Sequence, residues 1–199
     1  MRVIAGTYRS RILVAPEGIK TRPTSDRLRE TLFNVIASRI PGCRFLDLYA
    51  GSGAVGIEAI SRGAAHVWFA ESAAPAIAAI RANLRALKIT EGVTLNVRGV
   101  LPLLTSLAGP SSSNVSPDPD RTPADLIFLD PPYEAADEYS TTLQLLGAPS
   151  APGAIVANHT LVIAEHSKKV PLAPAYGALI RTRVLEQGDA ALSFFTPGD

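Results

Sequence analysis

The chain has one cysteine, one methionine and one tryptophan among its 199 residues, and only three histidines. A single cysteine, Cys43, excludes an internal disulfide and fits a reducing compartment, so a cytoplasmic location is expected. His66, His159 and His166 are scattered, and Cys43 joins none of them. No metal site is therefore expected. No apolar stretch nears the roughly 20 residues that cross a bilayer. Met1 to Arg11 carries charges but no apolar core of a secretion signal, so neither a membrane nor a leader is expected. No internal repeat is visible.

Acidic residues are scarce in the first 44 positions. Glu17, Asp26 and Glu30 face nine basic residues there, a local charge of +6; with the whole chain at +1, the remainder carries −5. Eight of the nine are arginine, whose planar guanidinium grips phosphate as a two-pronged fork. A basic segment on a mildly acidic body points to a polyanionic partner, against the plainer reading of a solvated charged face.

What is present begins with Asp47-Leu48-Tyr49-Ala50-Gly51-Ser52-Gly53-Ala54-Val55-Gly56. A short apolar run precedes it and Ile57-Glu58-Ala59-Ile60 follows, so the order is strand, glycine turn, helix. Gly51, Gly53 and Gly56 form a G-x-G-x-x-G pattern in the context that gives it meaning. Glycine admits positive φ and close backbone approach. The helix start adds free N–H groups and a positive dipole end. Such a turn suits a dinucleotide or another nucleoside ligand, S-adenosylmethionine among them, or it is a tight turn and nothing more. Asp47 favours a ligand with a cationic portion, because a carboxylate beside a pyrophosphate would repel it.

The remaining elements alternate as in an α/β sheet. Residues 2–15 read as a hairpin with Arg2, Arg9 and Arg11 on its wet side. A helix capped by Thr24 or Ser25 carries Leu28, Leu32, Val35, Ile36 and Ile40 at helical spacing, which leaves Arg27 and Arg29 partly exposed in its first turns. Pro41-Gly42 ends it. Strands are expected at 66–71, 93–98, 125–129 and 160–165, and a last antiparallel pair at 179–186 and 190–196, turning at 187–189. Helices are expected at 75–88, with Ile77, Ile80, Leu84 and Leu87 inward, at 100–107 and at 136–147. Residues 108–124, rich in Pro, Ser and Asp, read as a flexible loop within one body spanning 25–199; residues 1–24 form the basic extension.

Two strand ends carry further chemistry. Glu71, twenty residues after Gly51, is placed to accept ribose hydroxyls, or is an exposed strand-end acid. Asp130-Pro131-Pro132-Tyr133 is more specific. Two prolines fix the backbone and remove two N–H donors. A carboxylate and a fixed carbonyl can then accept both hydrogens of a planar –NH₂, and Tyr133 offers a face for stacking a base. The plainer reading is a rigid turn.

Together the two motifs resemble the Rossmann-type S-adenosylmethionine-dependent methyltransferases that modify exocyclic amino groups. Arg2-Val3-Ile4-Ala5-Gly6, Arg22-Pro23-Thr24, Asp26 to Asn34, Asp47 to Gly53, Glu58 to Ala64 and Ala191 to Phe195 narrow the similarity to the RsmD family, which methylates N2 of a guanine in small-subunit (16S) ribosomal RNA. The resemblance spans nearly the whole chain. It implies a class I α/β fold with a seven-stranded, mostly parallel sheet, one antiparallel strand and an N-terminal β-hairpin extension. It implies S-adenosyl-L-methionine as cofactor, held by Asp47, Ala50, Gly51, Ser52, Gly53 and Gly56, by Glu71 and Ser72, and by Gly99 and Val100 beside the adenine. Asp130, Pro131, Pro132 and Tyr133 would hold the target base. Arg9, Arg11, Arg22, Thr24, Arg27 and Arg29 would grip RNA. The chain departs from many relatives at Ser10, where they have glycine, and at Gly99-Val100, where they are polar or acidic. The expected partner is ribosomal RNA or a small-subunit assembly intermediate, with the protein acting as a monomer. A DNA amino methyltransferase, a nicotinamide oxidoreductase and a non-catalytic RNA-binding factor are the alternatives.

Overall fold

The structure, a computed structural model, describes residues 1–17, 25–108, 123–132, 136–148 and 155–198. Eight strands form one sheet: β1 (Arg44–Leu48), β2 (His66–Ala70), β3 (Val93–Asn96), β4 (Leu126–Leu129), β5 (Leu161–Ser167), β6 (Ala175–Tyr176), β7 (Leu179–Gln187) and β8 (Ala190–Pro197). Their order is β3-β2-β1-β4-β5-β8-β7-β6. The first five run parallel, and β8 is antiparallel to both of its neighbours. The Rossmann-like class is as expected. The sheet has one strand more than seven, because the two residues of β6 add a second reversed strand against Leu179 and Ile180 of β7.

Why these segments are strands is visible in their burial. All four residues of β4 and four of the five in β1 and in β2 are buried, as parallel strands covered on both faces require. Side chains alternate between faces. Phe45, Phe128 and Ile163 enter a cluster with Leu28, Leu32, Ile57 and Ile80. Leu46, Leu48, Ile127, Leu129 and Val162 enter a second with Leu103, Leu104, Leu143 and Leu146. Helices α1 (Asp26–Val35), α2 (Ala54–Ser61) and α3 (Ala74–Ala86) therefore cover one face. Helices α4 (Val100–Ala108) and α5 (Ala136–Leu146) cover the other.

Two helices differ from the sequence expectation. α1 is capped by Ser25, whose Oγ accepts the Leu28 N–H at 3.1 Å. It stops at Val35, and a 3₁₀ turn over Ala37–Arg39 carries the chain on to Ile40. α3 is rotated: Ala76, Ala79, Ile80, Asn83 and Leu87 are buried, while Ile77 and Leu84 lie only partly inside. Two alanines let this helix sit close. Asn83 is tolerated inside because its amide is satisfied there, accepting the Val14 N–H at 2.7 Å and donating to the carbonyls of Val14 and Ser52 at 3.0 Å each.

The N-terminal segment is a hairpin with a single ladder bridge, Arg2 to Ile12. Ser10 sits at its turn with φ of +67°, which explains why glycine suits this position. Arg2, Arg9 and Arg11 are exposed, whereas Val3 and Leu13 are buried in the first core cluster. α2 holds the segment down. Glu58, 0% exposed, accepts the Ile4 and Ala5 N–H groups at 2.7 and 3.0 Å and the Arg62 Nε–H at 2.7 Å. Ser61 accepts the Thr7 N–H on its carbonyl at 2.8 Å and the Tyr8 N–H on its Oγ at 3.0 Å.

Arg29 corrects the sequence reading. It is 0% exposed, so no phosphate reaches it. Position 29 falls on the inward stripe of α1 between Leu28 and Leu32. Its guanidinium donates to the Arg2 carbonyl and to Asp26 Oδ1, the latter at 3.0 Å, and lies 3.9 Å from Glu58. Burial pulls its pKa down; Asp26 and Glu58 pull it back up. The arginine ties α1, α2 and the N-terminal segment together. Removing one member of a buried charge pair is costly. Glu58→Ala is expected to lower unfolding stability by about 3 kcal/mol or more, with amide-exchange protection lost at residues 3–8. A denaturant melt together with hydrogen exchange checks it, and unchanged protection would refute the anchoring role of Glu58.

Candidate functional site

In a parallel sheet every strand ends at the same rim, and the crevice opens where the strand order changes direction. Here that point lies between β1 and β4. Leu48 pairs with Leu129 and with Ala70, and Ala70 pairs with Asn96. The Asp130 N–H donates to the Leu48 carbonyl at 3.4 Å. The glycine turn and the Asp130-Pro131-Pro132 turn therefore leave adjacent strands side by side, about 4.8 Å apart at their roots. Glu71 and Ser72 follow on the next strand, and Arg98 and Gly99 on the one after.

The turn is built from backbone amides and two carboxyl groups, Asp47 buried and Glu71 half-buried. Gly53 caps α2 with φ of +76° and offers no side-chain acceptor. Asp47 supplies one from below: its Oδ2 accepts the Gly56 N–H at 2.8 Å. Glu71 holds the turn from the side, accepting the Gly51 N–H at 2.8 Å and, on its other oxygen, those of Ser72 and Ala73 at 2.7 and 2.8 Å. The three glycines differ in what they do. A Cβ on Gly56 would stand 2.3 Å from Phe69 Cε1, so this glycine lets α2 press on the sheet. A Cβ on Gly51 would meet nothing within 4 Å, so that side of the turn is open.

A cavity of about 330 Å³ opens at this rim, lined among others by Tyr49, Glu71, Ser72, Gly99, Val100 and Thr142. That volume suits a nucleoside-sized ligand. Residues 1–196 match the family model described as Conserved hypothetical protein 95, the RsmD family. The chain belongs to that family.

Two relatives and one solved structure carry the same likeness over nearly full length. YlbH of Bacillus subtilis is 34% identical over 183 residues, 92% of this chain and 91% of that protein. Ribosomal RNA small subunit methyltransferase D of Escherichia coli is 32% identical over 189 residues, 94% of this chain and 86% of that protein. The solved structure of YhhF from Escherichia coli superposes with a TM-score of 0.78 at 27% identity, covering 100% of this chain and 98% of that one.

Against the site residues expected for an RsmD-family chain, the structure is selective. Glu71, Ser72, Gly99 and Val100 line the cavity. Ala50, Gly51, Ser52 and Gly53 form the turn beside it, and Gly56 lies in the first turn of α2. Asp47 lies underneath, 1% exposed, instead of facing the opening. Asp130 and Pro131 flank the turn on the β4 side, and Pro132 is exposed. Arg22, Thr24 and Tyr133 lie outside the described residues, as does 109–122 of the expected loop. Arg27 is exposed on α1. Arg9 is exposed too, but its hairpin tip contacts Ser61, at the end of α2 away from the glycine turn. Among the described residues no three His, Cys, Asp or Glu side chains gather as a metal site, and no helix is long and apolar enough to cross a membrane.

Some site residues went unnoticed in the sequence. Tyr49, at φ of +61°, donates its hydroxyl to Glu138 at 2.6 Å and lies 2.7 Å from Thr142 Oγ1. This joins the glycine turn to α5 across the cavity. Tyr139, also on α5, contacts the carbonyls of Pro131 and Glu165. Tyr49 stands within the glycine stretch itself, whereas the signal for Glu138, Tyr139 and Thr142 is that α5 follows directly on Asp-Pro-Pro-Tyr.

Burial pushes the Asp47 carboxyl up to about 8; the Gly56 N–H opposes the shift and the Glu71 charge adds to it. A carboxyl raised on folding keeps its proton where the unfolded chain has released it. Its contribution is thus fully present below about pH 4 and is lost as pH rises toward 8. Asp47→Asn, which keeps an acceptor for Gly56, is expected to gain melting temperature relative to wild type as pH goes from about 5 to about 8. Parallel pH profiles for the two proteins would mean that Asp47 is already ionised in the fold.

Proposed function

We propose that this RsmD-family protein is an RNA methyltransferase that uses S-adenosyl-L-methionine to methylate the exocyclic N2 amino group of a guanine in small-subunit ribosomal RNA. The observation that carries this reading is the adjacency of the glycine turn after β1 and the Asp130-Pro131 turn after β4 on one rim. The name of the Escherichia coli relative, Ribosomal RNA small subunit methyltransferase D, supports ribosomal RNA over DNA as the substrate.

The residues present fit such a cofactor. The open side of Gly51 admits close backbone approach. The 330 Å³ cavity, which Tyr49 also lines, is edged by Glu71 and Ser72 on one strand end and by Gly99 and Val100 on the next. Glu71 and Ser72 suit ribose hydroxyls, and the Gly99-Val100 turn offers backbone groups to adenine. Ala50, Gly51, Ser52, Gly53 and Gly56 would hold the methionine end, with Asp47 fixing the turn from below. When bound, the cofactor supplies an electrophilic methyl group on a sulfonium.

The chain's own part is orientation and electrostatics. The lone pair of a guanine N2 is delocalised into the ring. Hydrogen bonds from that –NH₂ to the Asp130 carboxylate and the Pro131 carbonyl draw the nitrogen toward a tetrahedral shape and aim its lone pair at the methyl. The Pro131 ring and the Pro132 that follows restrict the carbonyl between them, so little reorganisation is left for the moment of reaction. Tyr133 provides a stacking face for the base, which must be unpaired or flipped to enter. Cys43 is buried at the opposite end of β1, its thiol pushed up to about 12 by burial, and takes no part. Arg9, Arg11 and Arg27, with Arg22 and Thr24, are the phosphate contacts of this reading, and Arg29 is withdrawn from it.

Transfer of radiolabelled methyl to naked ribosomal RNA, to partly assembled small subunits and to duplex DNA tests the assignment; label on DNA alone, or on nothing, would overturn it. Asp130→Ala is expected to lower turnover by roughly 10²-fold or more while cofactor affinity, read by calorimetry, survives. Normal turnover in that variant would remove Asp130 from the mechanism.

A further inference from the structure

The Asp-Pro-Pro turn creates a defect in the sheet that its own residues cannot repair. β4 and β5 pair in parallel from Leu126 opposite Leu161 to Leu129 opposite Ala164. The Leu161 N–H donates to the Asp125 carbonyl at 3.0 Å. In a parallel ladder alternate residues of one strand bond to the residues flanking their partners. Residues 161, 163 and 165 therefore turn their backbone groups toward β4. Continuing the register places Glu165 opposite position 130, with its carbonyl awaiting the N–H of residue 131. Residue 131 is proline and has none.

The Glu165 carbonyl sits in a residue only 3% exposed, where a backbone acceptor without a donor is costly. The Tyr139 hydroxyl stands in the gap, 2.9 Å from the Glu165 carbonyl and 3.3 Å from the Pro131 carbonyl. The tyrosine is 6% exposed and belongs to α5, the helix that follows the turn.

We propose that Tyr139 is a positioning residue: its hydroxyl replaces the N–H that Pro131 lacks and fixes the Pro131 carbonyl for the target amino group. A carbonyl oxygen has two lone pairs. Tyr139 approaches it from within the protein and leaves the other lone pair to an incoming –NH₂. The prolines restrict the local dihedrals, but Pro131 and Pro132 have no N–H to donate to β5. Tyr139 supplies the tether from α5. The single hydroxyl proton is shared between the two carbonyls as a three-centre bond: the shorter branch, to Glu165, is the stronger, and the longer one holds Pro131 against β5. The part of this inference that concerns methyl transfer rests on the function proposed above; the part that concerns the ladder does not.

The test is a double-mutant cycle in the full chain with Tyr139→Phe and Pro131→Ala, since alanine restores an N–H at position 131. Tyr139→Phe is expected to keep its cofactor affinity within about twofold while its single-turnover rate at saturating RNA falls roughly tenfold, misplacement of a reacting group being costly in rate. In the Tyr139→Phe background, Pro131→Ala is expected to recover melting temperature, so that the double variant melts above the sum of the two single shifts. A wild-type rate in Tyr139→Phe, or cofactor affinity falling in step with the rate, overturns the positioning role. Additive melting shifts overturn the replacement of the amide. A wild-type protein that methylates no RNA counts against the proposed function, and the melting cycle still decides whether Tyr139 stands in for the missing N–H.

Discussion

The parallel register of β1 against β4 is the constraint on which the site depends. Leu48 opposite Leu129 sets the roots of two turns one strand spacing apart, although more than seventy residues separate them in the chain. Burial enforces this register. Phe45 and Phe128 feed one core, while Leu46, Leu48, Ile127 and Leu129 feed the other, so a slip by one residue would exchange the faces. The rim geometry therefore follows from the packing of two apolar clusters, and neither turn has to search for the other.

Given that frame, the chain reuses one device: a buried or half-buried carboxyl group accepting backbone amides. Asp47 takes the Gly56 N–H, Glu71 takes those of Gly51, Ser72 and Ala73, and Glu58 takes those of Ile4 and Ala5. In each case an acid on a regular element or at its end fixes a segment that cannot fix itself. The glycine turn has no capping side chain, and the N-terminal hairpin has one ladder bridge. Tyr139 beside Pro131 is the same solution with the polarity reversed, a side-chain donor supplied where the backbone lacks one.

The pattern of elements was legible because it rests on local signals. The glycine turn, the buried strand Leu126–Leu129 and the final hairpin each have the residues their geometry demands. β6, two residues long, is too short to leave a pattern. The errors share a cause. Periodicity finds an apolar stripe but does not say which polar residue on that stripe will find partners inside. The charge of Arg29 predicts partial exposure, yet Asp26, Glu58 and the Arg2 carbonyl converge on it. Apolar spacing points to Leu84, yet its polar neighbour Asn83 is the one buried, with three hydrogen bonds to Val14 and Ser52. Partners distant in sequence decide both cases. The same holds for the site: Asp130 and Pro131 announce themselves, whereas Tyr139 matters only once α5 is folded over β5.

The placement of the hairpin bears on how RNA would meet the rim. Gly6 lies against Ser61 so closely that a Cβ there would stand 1.8 Å from the Ser61 carbonyl oxygen. At the other end Ser52 Oγ contacts Met1 Sδ at 3.2 Å, and Asn83 joins Val14 to the Ser52 carbonyl. The hairpin thus runs the length of α2, about 12 Å for eight residues. Its exposed arginines and the glycine turn are two features of one rigid unit. Arg9 belongs to the tip that packs on Ser61, at the end of α2 away from the rim, so its contribution would be a phosphate contact that positions the RNA without reading it. Because that unit is held by Glu58, Ser61 and Asn83 rather than by a hinge, an RNA gripped by the hairpin would reach Asp130 at a fixed offset. Selection among guanines would then depend on the shape of the RNA around the target as much as on contacts to the base.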